Sequence, residues 1–321
     1  MSKKRKQRII LIGDGAVGSS FAFASVLTGV GRELGIIDLN GDRVDGDVLD
    51  LIDAGAYAAP KRIFHADYAD CGSADIVVIT AGAAQKPGET RLDLVHKNTR
   101  IFKGMIEQVV ASGFQGIFLI ATNPVDVLSY WTWKFSGFPP EKIIGSGTAL
   151  DSARFRQEIA QILDIDSRNV HGYILGEHGD TEFPVWSQAN VGGMDIYQWV
   201  RRHKHIDQQE LVERFYKVRD KAYEIIDLKG ATYYGVAAAL ARICRAILND
   251  ENAVLPVSIL MDGHFGLDDV FISAPAVVGS EGVREVVEIN LNDQELQKMQ
   301  SSAQVLKETI QAAREKLEED A

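Results

Sequence analysis

Short apolar runs alternate with stretches whose apolar residues recur every three or four positions. That alternation organises the first half of the chain. Residues 8–12, 33–38, 76–80 and 116–121 are compact runs dominated by isoleucine, valine and leucine, which predicts buried strands. Residues 16–27 predict a tightly packed helix of small residues. Residues 43–54 predict a helix with Val44, Val48, Leu51 and Ile52 on one side, and 93–112 a long amphipathic helix. Strands separated by helices pair in parallel, so the expected fold is α/β with a doubly wound sheet. Beyond about residue 145 the pattern changes. Helices over 149–163 and 218–248 flank strands near 253–261 and 269–278, and a charged helix begins near Asp293. The expected division is therefore 1–145 and 146–321.

Composition narrows the function classes. A chain of 321 residues is comfortable for two lobes, and 46% apolar with 25% charged residues is ordinary for a soluble globular protein. A net charge of −11 argues against binding nucleic acid through its phosphates. It leaves room for a small anion held by a local arginine cluster. Cys71 and Cys244 lie far apart, with no metal-ligand or redox spacing, which fits a reduced cytoplasmic setting. Lys3, Lys4, Arg5, Lys6 and Arg8 precede a stretch, 15–31, that carries no charge. Asp14 and the many Gly, Ser and Thr residues argue against a membrane span, and the basic start reads as a solvated tail. No metal centre and no membrane partner are expected.

Four stretches carry chemistry. Gly13-Asp14-Gly15-Ala16-Val17-Gly18 follows a predicted strand, opens a helix and precedes Asp38 at the end of the next strand. This is the dinucleotide fingerprint of a Rossmann-type domain, and it makes 1–145 the expected nucleotide-binding domain. Gly13 makes the turn, Gly15 admits the pyrophosphate, and Gly18 lets helix and strand approach. Asp38 would accept hydrogen bonds from ribose hydroxyls and repel a 2′-phosphate, favouring NAD over NADP. The second stretch, residues 81–91, holds Gly82, Gln85, Pro87, Gly88 and Arg91 at the carboxyl end of the sheet. It reads as a hinged lid with Arg91 near its far end. The third is Gly145-Ser146-Gly147-Thr148, leading into a helix with Asp151, Arg154 and Arg156. Thr148 and Asp151 have the spacing of a capping pair. Asp151 and Arg154 share a face, whereas Arg156 lies about 200° round from Arg154 at ~100° per residue. The fourth is His171 to Gly179, His-Gly-Tyr-Ile-Leu-Gly-Glu-His-Gly, followed by Asp180. It places the imidazole of His178 beside a glycine and close in sequence to Glu177 and Asp180. Imidazole titrates nearest neutrality, which suits proton transfer.

Together with Asn-Pro-Val-Asp at 123–126, Leu-Asp-Ser-Ala-Arg-Phe-Arg at 150–156 and Lys-Gly-Ala-Thr-Tyr-Tyr-Gly at 229–235, these stretches resemble the bacterial L-lactate dehydrogenases. The resemblance runs from about residue 7 to about residue 315. It implies an α+β substrate domain over 146–321. It also implies reversible hydride transfer between NADH and pyruvate, giving L-lactate and NAD as the last step of homolactic fermentation. His178 becomes the proton relay, Asp151 its orienting partner and Arg154 the grip on the substrate carboxylate. Arg91 polarises the carbonyl. Asn123 bonds the carbonyl or the nicotinamide carboxamide, Ser146 faces that carboxamide, and Thr232 and Val236 line the pocket. Val17 and Gly82 belong to the cofactor site. Arg156 and His171 match the pair through which bacterial members bind fructose 1,6-bisphosphate at a subunit interface, and the resemblance implies a homotetramer.

Two departures stand out. Val236 is often isoleucine in the family, and residues 278–282 read Val-Gly-Ser-Glu-Gly where relatives often carry an asparagine–arginine pair. The second is expected to alter a surface turn. A malate dehydrogenase of the same fold needs a cation for the second carboxylate of oxaloacetate, and the matching lid position here is the neutral Gln85. A silent dinucleotide-binding protein would show damage at His178, Asp151, Arg154 or Arg91, and all four are intact.

Overall fold

The computed structural model describes residues 6–83, 91–202 and 208–319. The first half alternates β1 (Arg8–Ile12), α1 (Ala16–Leu27), β2 (Glu33–Ile37), α2 (Gly41–Gly55), β3 (Arg62–His65), β4 (Ile76–Ile79), α3 (Arg91–Ala111), β5 (Ile117–Ile120), α4 (Val125–Ser136) and β6 (Ile143–Gly145). Every residue of β1, β4 and β5 is buried, because helices cover both faces of a parallel sheet. The sheet reverses between β1 and β4, which opens a crevice at the carboxyl ends of the strands.

The second half begins with α5 (Ala149–Leu163). Short strands follow: β7 (Val170–His171), β8 (Ile174–Leu175), β9 (Phe183–Pro184), β10 (Asn190–Val191) and β11 (Met194–Asp195). Next come α6 (Ile196–Arg202), α7 (Gln208–Lys229), α8 (Tyr234–Leu248), β12 (Ala253–Asp262), β13 (Asp268–Gly279), β14 (Gly282–Val286) and α9 (Asp293–Glu319). Strands β12, β13 and β14 do not form a separate sheet. They extend the first one, antiparallel, in the order β14-β13-β12-β6-β5-β4-β1-β2-β3. The seam is the pairing of Ser258 with Gly145. A Cβ on Gly145 would lie 2.5 Å from Ser129 Oγ and 2.7 Å from Ser258 Cβ, so the seam closes only over glycine.

Two expectations from sequence need correction. The helix expected over 218–248 is two helices. Gly230, at φ +84°, ends α7, and its N–H bonds back to Ile226 O at 2.7 Å. The break sets Thr232 between the helices. The capping pair expected at Thr148 and Asp151 does not form. The Thr148 hydroxyl instead donates to Ile174 O at 2.6 Å, and Asp151 turns inward. Residues 279–282 do form the β13–β14 turn, where Ser280 N–H donates to Asp250 at 2.8 Å.

Candidate active site

The nucleotide cradle follows from three glycines. Gly13 has φ +103°, and a Cβ there would lie 2.4 Å from the Ala81 nitrogen. A Cβ on Gly18 would meet Gly13 O at 1.9 Å, so only glycine lets α1 approach β1 this closely. At Gly15 a Cβ would meet nothing within 4 Å, so the helix N-terminus opens onto free space. Val17 is half-buried in the first turn of α1. Asp38 follows β2, and its carboxylate accepts the N–H groups of Asp14 at 2.7 Å and Asn40 at 3.0 Å. These bonds fix the carboxylate at the edge of the cradle. An open glycine turn, free helix N–H groups and a held carboxylate fit the pyrophosphate and ribose of a dinucleotide.

On the other side of the crevice, Gly82 packs so closely that a Cβ would meet Thr122 Cγ2 at 2.4 Å. Asn98 fastens this rim. It is fully buried, accepts from Ala83 N–H at 2.7 Å and donates to Asn123 O at 3.4 Å. Asn123 is exposed after β5, before a cis peptide to Pro124. Ser146 follows β6, tethered by its N–H to Ile120 O at 2.7 Å. Val236 lies half-buried in the first turn of α8. Gln85 lies outside the described residues, and of Arg91 only the backbone is described, at the start of α3.

Four predicted residues meet directly. Asp151 and Arg154 share a face of α5, with Arg154 Nη1 3.2 Å from Asp151 Oδ1. Arg154 Nη2 donates to the Thr232 hydroxyl at 3.5 Å across the α7–α8 break. His178 reaches Asp151 from the loop after β8, with Nδ1 2.7 Å from Oδ2. Asp151 and Arg154 are buried, whereas the imidazole keeps part of its surface open. Burial works against the imidazolium, but the charge and hydrogen bond of Asp151, aided by Glu182 and Asp126, outweigh it. The His178 pKa rises to about 9. Burial would raise Asp151 likewise, yet His178 and Arg154 hold it below the usual carboxylate range.

The carboxylates adjacent in sequence are not those that face the imidazole. Glu177 turns away to accept from Thr181 at 2.6 Å, and Asp180 accepts from Tyr223 at 3.1 Å. Asp126 and Glu182 take their place. Asp126 is buried between the His178 N–H at 2.8 Å and the Ser258 hydroxyl at 2.5 Å, and burial pushes it up to about 6. The Asp126 signal lay in the Asn-Pro-Val-Asp stretch. Nothing in sequence marked Glu182. No metal centre was expected, yet ligand atoms of Asp151, His178 and Glu182 lie within 4.8 Å of one another. Nδ1 of His178 already bonds Asp151 Oδ2, and the Arg154 cation lies beside the same carboxylate, both of which disfavour a divalent cation there.

Arg156 lies half-buried beside Tyr173, away from Asp151 and Arg154 as its helical phase requires. His171 is exposed on β7, two residues before Tyr173. No hydrogen bond joins Arg156 to His171 among the described residues. No helix among them is long and apolar enough to cross a membrane.

A model of the lactate/malate dehydrogenase NAD-binding domain matches residues 7–145, and one of that family's alpha/beta C-terminal domain matches 148–317. The chain is 59% identical over 315 residues to L-lactate dehydrogenase 1 of Enterococcus faecalis, covering 98% of this chain and 96% of the relative. It is also 59% identical over 316 residues to L-lactate dehydrogenase 1 of Listeria monocytogenes, covering 98% and 100%. The solved structure of minor L-lactate dehydrogenase from Enterococcus mundtii, in its ligands-bound form, superposes with a TM-score of 0.94 at 44% identity, covering 96% and 98% of the two chains. Fold, glycine cradle and matched sequence agree: the chain belongs to the lactate/malate dehydrogenase family, with an NAD-binding Rossmann-type domain.

Proposed function

We propose that the chain is an NAD-dependent L-lactate dehydrogenase that interconverts pyruvate and L-lactate, with 1–145 binding the dinucleotide and 146–321 the substrate. The observation that carries this reading is the His178–Asp151 hydrogen bond beside Arg154. Asp151 occupies Nδ1, which leaves Nε2 for the substrate oxygen. The raised pKa keeps the ring protonated near neutrality, ready to give a proton to the pyruvate carbonyl oxygen. NADH, when bound, supplies the hydride to the carbonyl carbon. Arg154 presents a planar fork to the substrate carboxylate, held by Asp151 on one side and Thr232 on the other. Arg91 and Asn123 polarise the carbonyl, and Gln85 offers a neutral side chain to the methyl group. Gly13, Gly15, Val17, Gly18, Asp38, Gly82, Ser146 and Val236 hold the cofactor.

The neutral Gln85 favours pyruvate over oxaloacetate, because burying an unpaired carboxylate costs on the order of several kcal/mol. NADH oxidation followed with pyruvate and then with oxaloacetate tests the reading. A strong preference for pyruvate is expected. A preference for oxaloacetate would assign a malate dehydrogenase, and no turnover a silent binding protein.

Regulation is part of the same proposal. Arg156 and His171 supply the cation and the imidazole for a phosphate of fructose 1,6-bisphosphate, shared across a twofold axis of a homotetramer. Large apolar side chains left in solvent, Phe23 and Leu27 on α1 with Leu49 and Ile52 on α2, support assembly.

A further inference from the structure

Glu182 is a carboxyl group at the reaction centre to which the dehydrogenase reading assigns no contact with substrate or cofactor. It lies four residues beyond His178 and is only 7% exposed. Among the described residues no group donates a hydrogen bond to its carboxylate. Its ligand atom nevertheless lies within 4.8 Å of those of both His178 and Asp151. A buried carboxylate without donors is costly when ionised, and it must be offset by charge or take up a proton. The groups that face it are Asp151 and Arg154 from α5, His178 from its own loop, and Arg219 from α7. His178 in turn faces Asp151, Glu182 and Asp126. The pocket therefore holds three acids around one imidazole, and two of those acids already have work. Asp126 holds the His178 backbone N–H, and Asp151 bonds Nδ1.

We propose that Glu182 is a positioning residue for the proton donor, a second counter-charge that joins Asp151 in keeping the His178 imidazole protonated on the alkaline side of neutrality. Burial, then the charge of Asp151, pushes the Glu182 pKa up to about 8, below the value of about 9 for His178. Glu182 and the imidazole thus both titrate on the alkaline side of neutrality. The negative charge appears where it delays loss of the imidazole proton. Below that range the carboxyl group is neutral and does not compete with the substrate carboxylate for Arg154. The inference rests on the pyruvate-reducing reading of the same site.

The test is kcat/KM for pyruvate from about pH 6 to pH 10 in wild type, Glu182→Gln and Glu182→Asp, with NADH affinity measured alongside. In Glu182→Gln the alkaline midpoint should fall by about one pH unit, the low end of the shift that a charge within ~4–6 Å produces. The deficit should be about fivefold near pH 9, approach tenfold near pH 10, and close towards pH 6, where the carboxyl group already holds its proton. Glu182→Asp should recover part of the midpoint shift, and NADH affinity should stay within about twofold. An unmoved midpoint, whether activity is kept or lost uniformly, would overturn the proposal. So would an upward shift, which would mean that the charge acts on the substrate carboxylate instead. Protein carrying 13C-labelled histidine gives a second measurement that needs no turnover. The His178 signal, assigned against His178→Asn, should show two inflections in wild type, one of which is absent in Glu182→Gln. A single inflection would overturn the proposal even in an active enzyme, and absence of pyruvate turnover with two inflections would fail the dehydrogenase reading alone.

Discussion

Replacing Asp151 with asparagine tests how the imidazole is charged. The folded His178 pKa stands at about 9 against an ordinary 6.5. At ~1.36 kcal/mol per pH unit that rise is roughly 3 kcal/mol in favour of the imidazolium. Burial alone lowers the value, so Asp151→Asn should bring it to about 6.5 or below, while Glu182 and Asp126 prevent a complete collapse. At about pH 7.5 the protonated fraction would fall from roughly 97% to roughly 10%. Pyruvate reduction should therefore drop about tenfold from protonation alone, and about 10²-fold or more once the lost ring acceptor is included. At about pH 5.5 both proteins are protonated, so the ratio of rates should shrink about tenfold. The sign for stability is the same. A histidine whose folded pKa is raised contributes stability fully below about 6.5 and loses it as pH rises through about 9. The assay is single-turnover NADH oxidation at the two pH values. An equal rate ratio at both would refute the idea that Asp151 acts through the charge on His178.

Four further outcomes are expected. Gln85→Arg should move the kcat/KM ratio towards oxaloacetate by about tenfold or more, measured with both substrates. Arg154→Lys, which loses the fork to Asp151 and Thr232, should lower kcat/KM for pyruvate by about 10²-fold, mostly through KM. Asp14 is fully buried, and burial, then a hydrogen bond to and the charge of Asp47, push its pKa up to about 7 from 3.8. A raised acid contributes stability below its unfolded value and loses it as pH rises through about 7. Asp14→Asn should therefore be about 2 kcal/mol more stable than wild type near pH 8, and equal to it near pH 4, by urea denaturation of the cofactor-free protein. Fructose 1,6-bisphosphate should lower the pyruvate KM several-fold to about a hundredfold in wild type and not in Arg156→Gln, read from pyruvate titrations.

The sheet was legible because fully buried parallel strands leave uninterrupted apolar runs, and β1, β4 and β5 are buried at every position. The glycine cradle was legible because backbone proximity demands glycine whatever surrounds it. The His178–Asp151 pair joins residues 27 apart in sequence, and only resemblance connected them before geometry did. Adjacency misled at Glu177 and Asp180, because neighbours in a loop point different ways while Asp126 and Glu182 arrive through the fold. The α7–α8 break carried a signal in Gly230, outweighed by the apolar period on either side. Strands β12 and β13 were recognisable as strands, but their attachment to β6 depends on the shape of the seam, which no local pattern encodes.

That seam also decides how the molecule can be divided. A chain cut after Gly145 would strip β6 of Ser258, its one partner across the seam, and a chain starting after it would strip β12 of Gly145. Each fragment would keep its strand but lose the neighbour that ends its exposed edge. Separately produced halves should seek each other, or copies of themselves, before they behave as independent proteins. The two lobes are distinct in task and inseparable in manufacture.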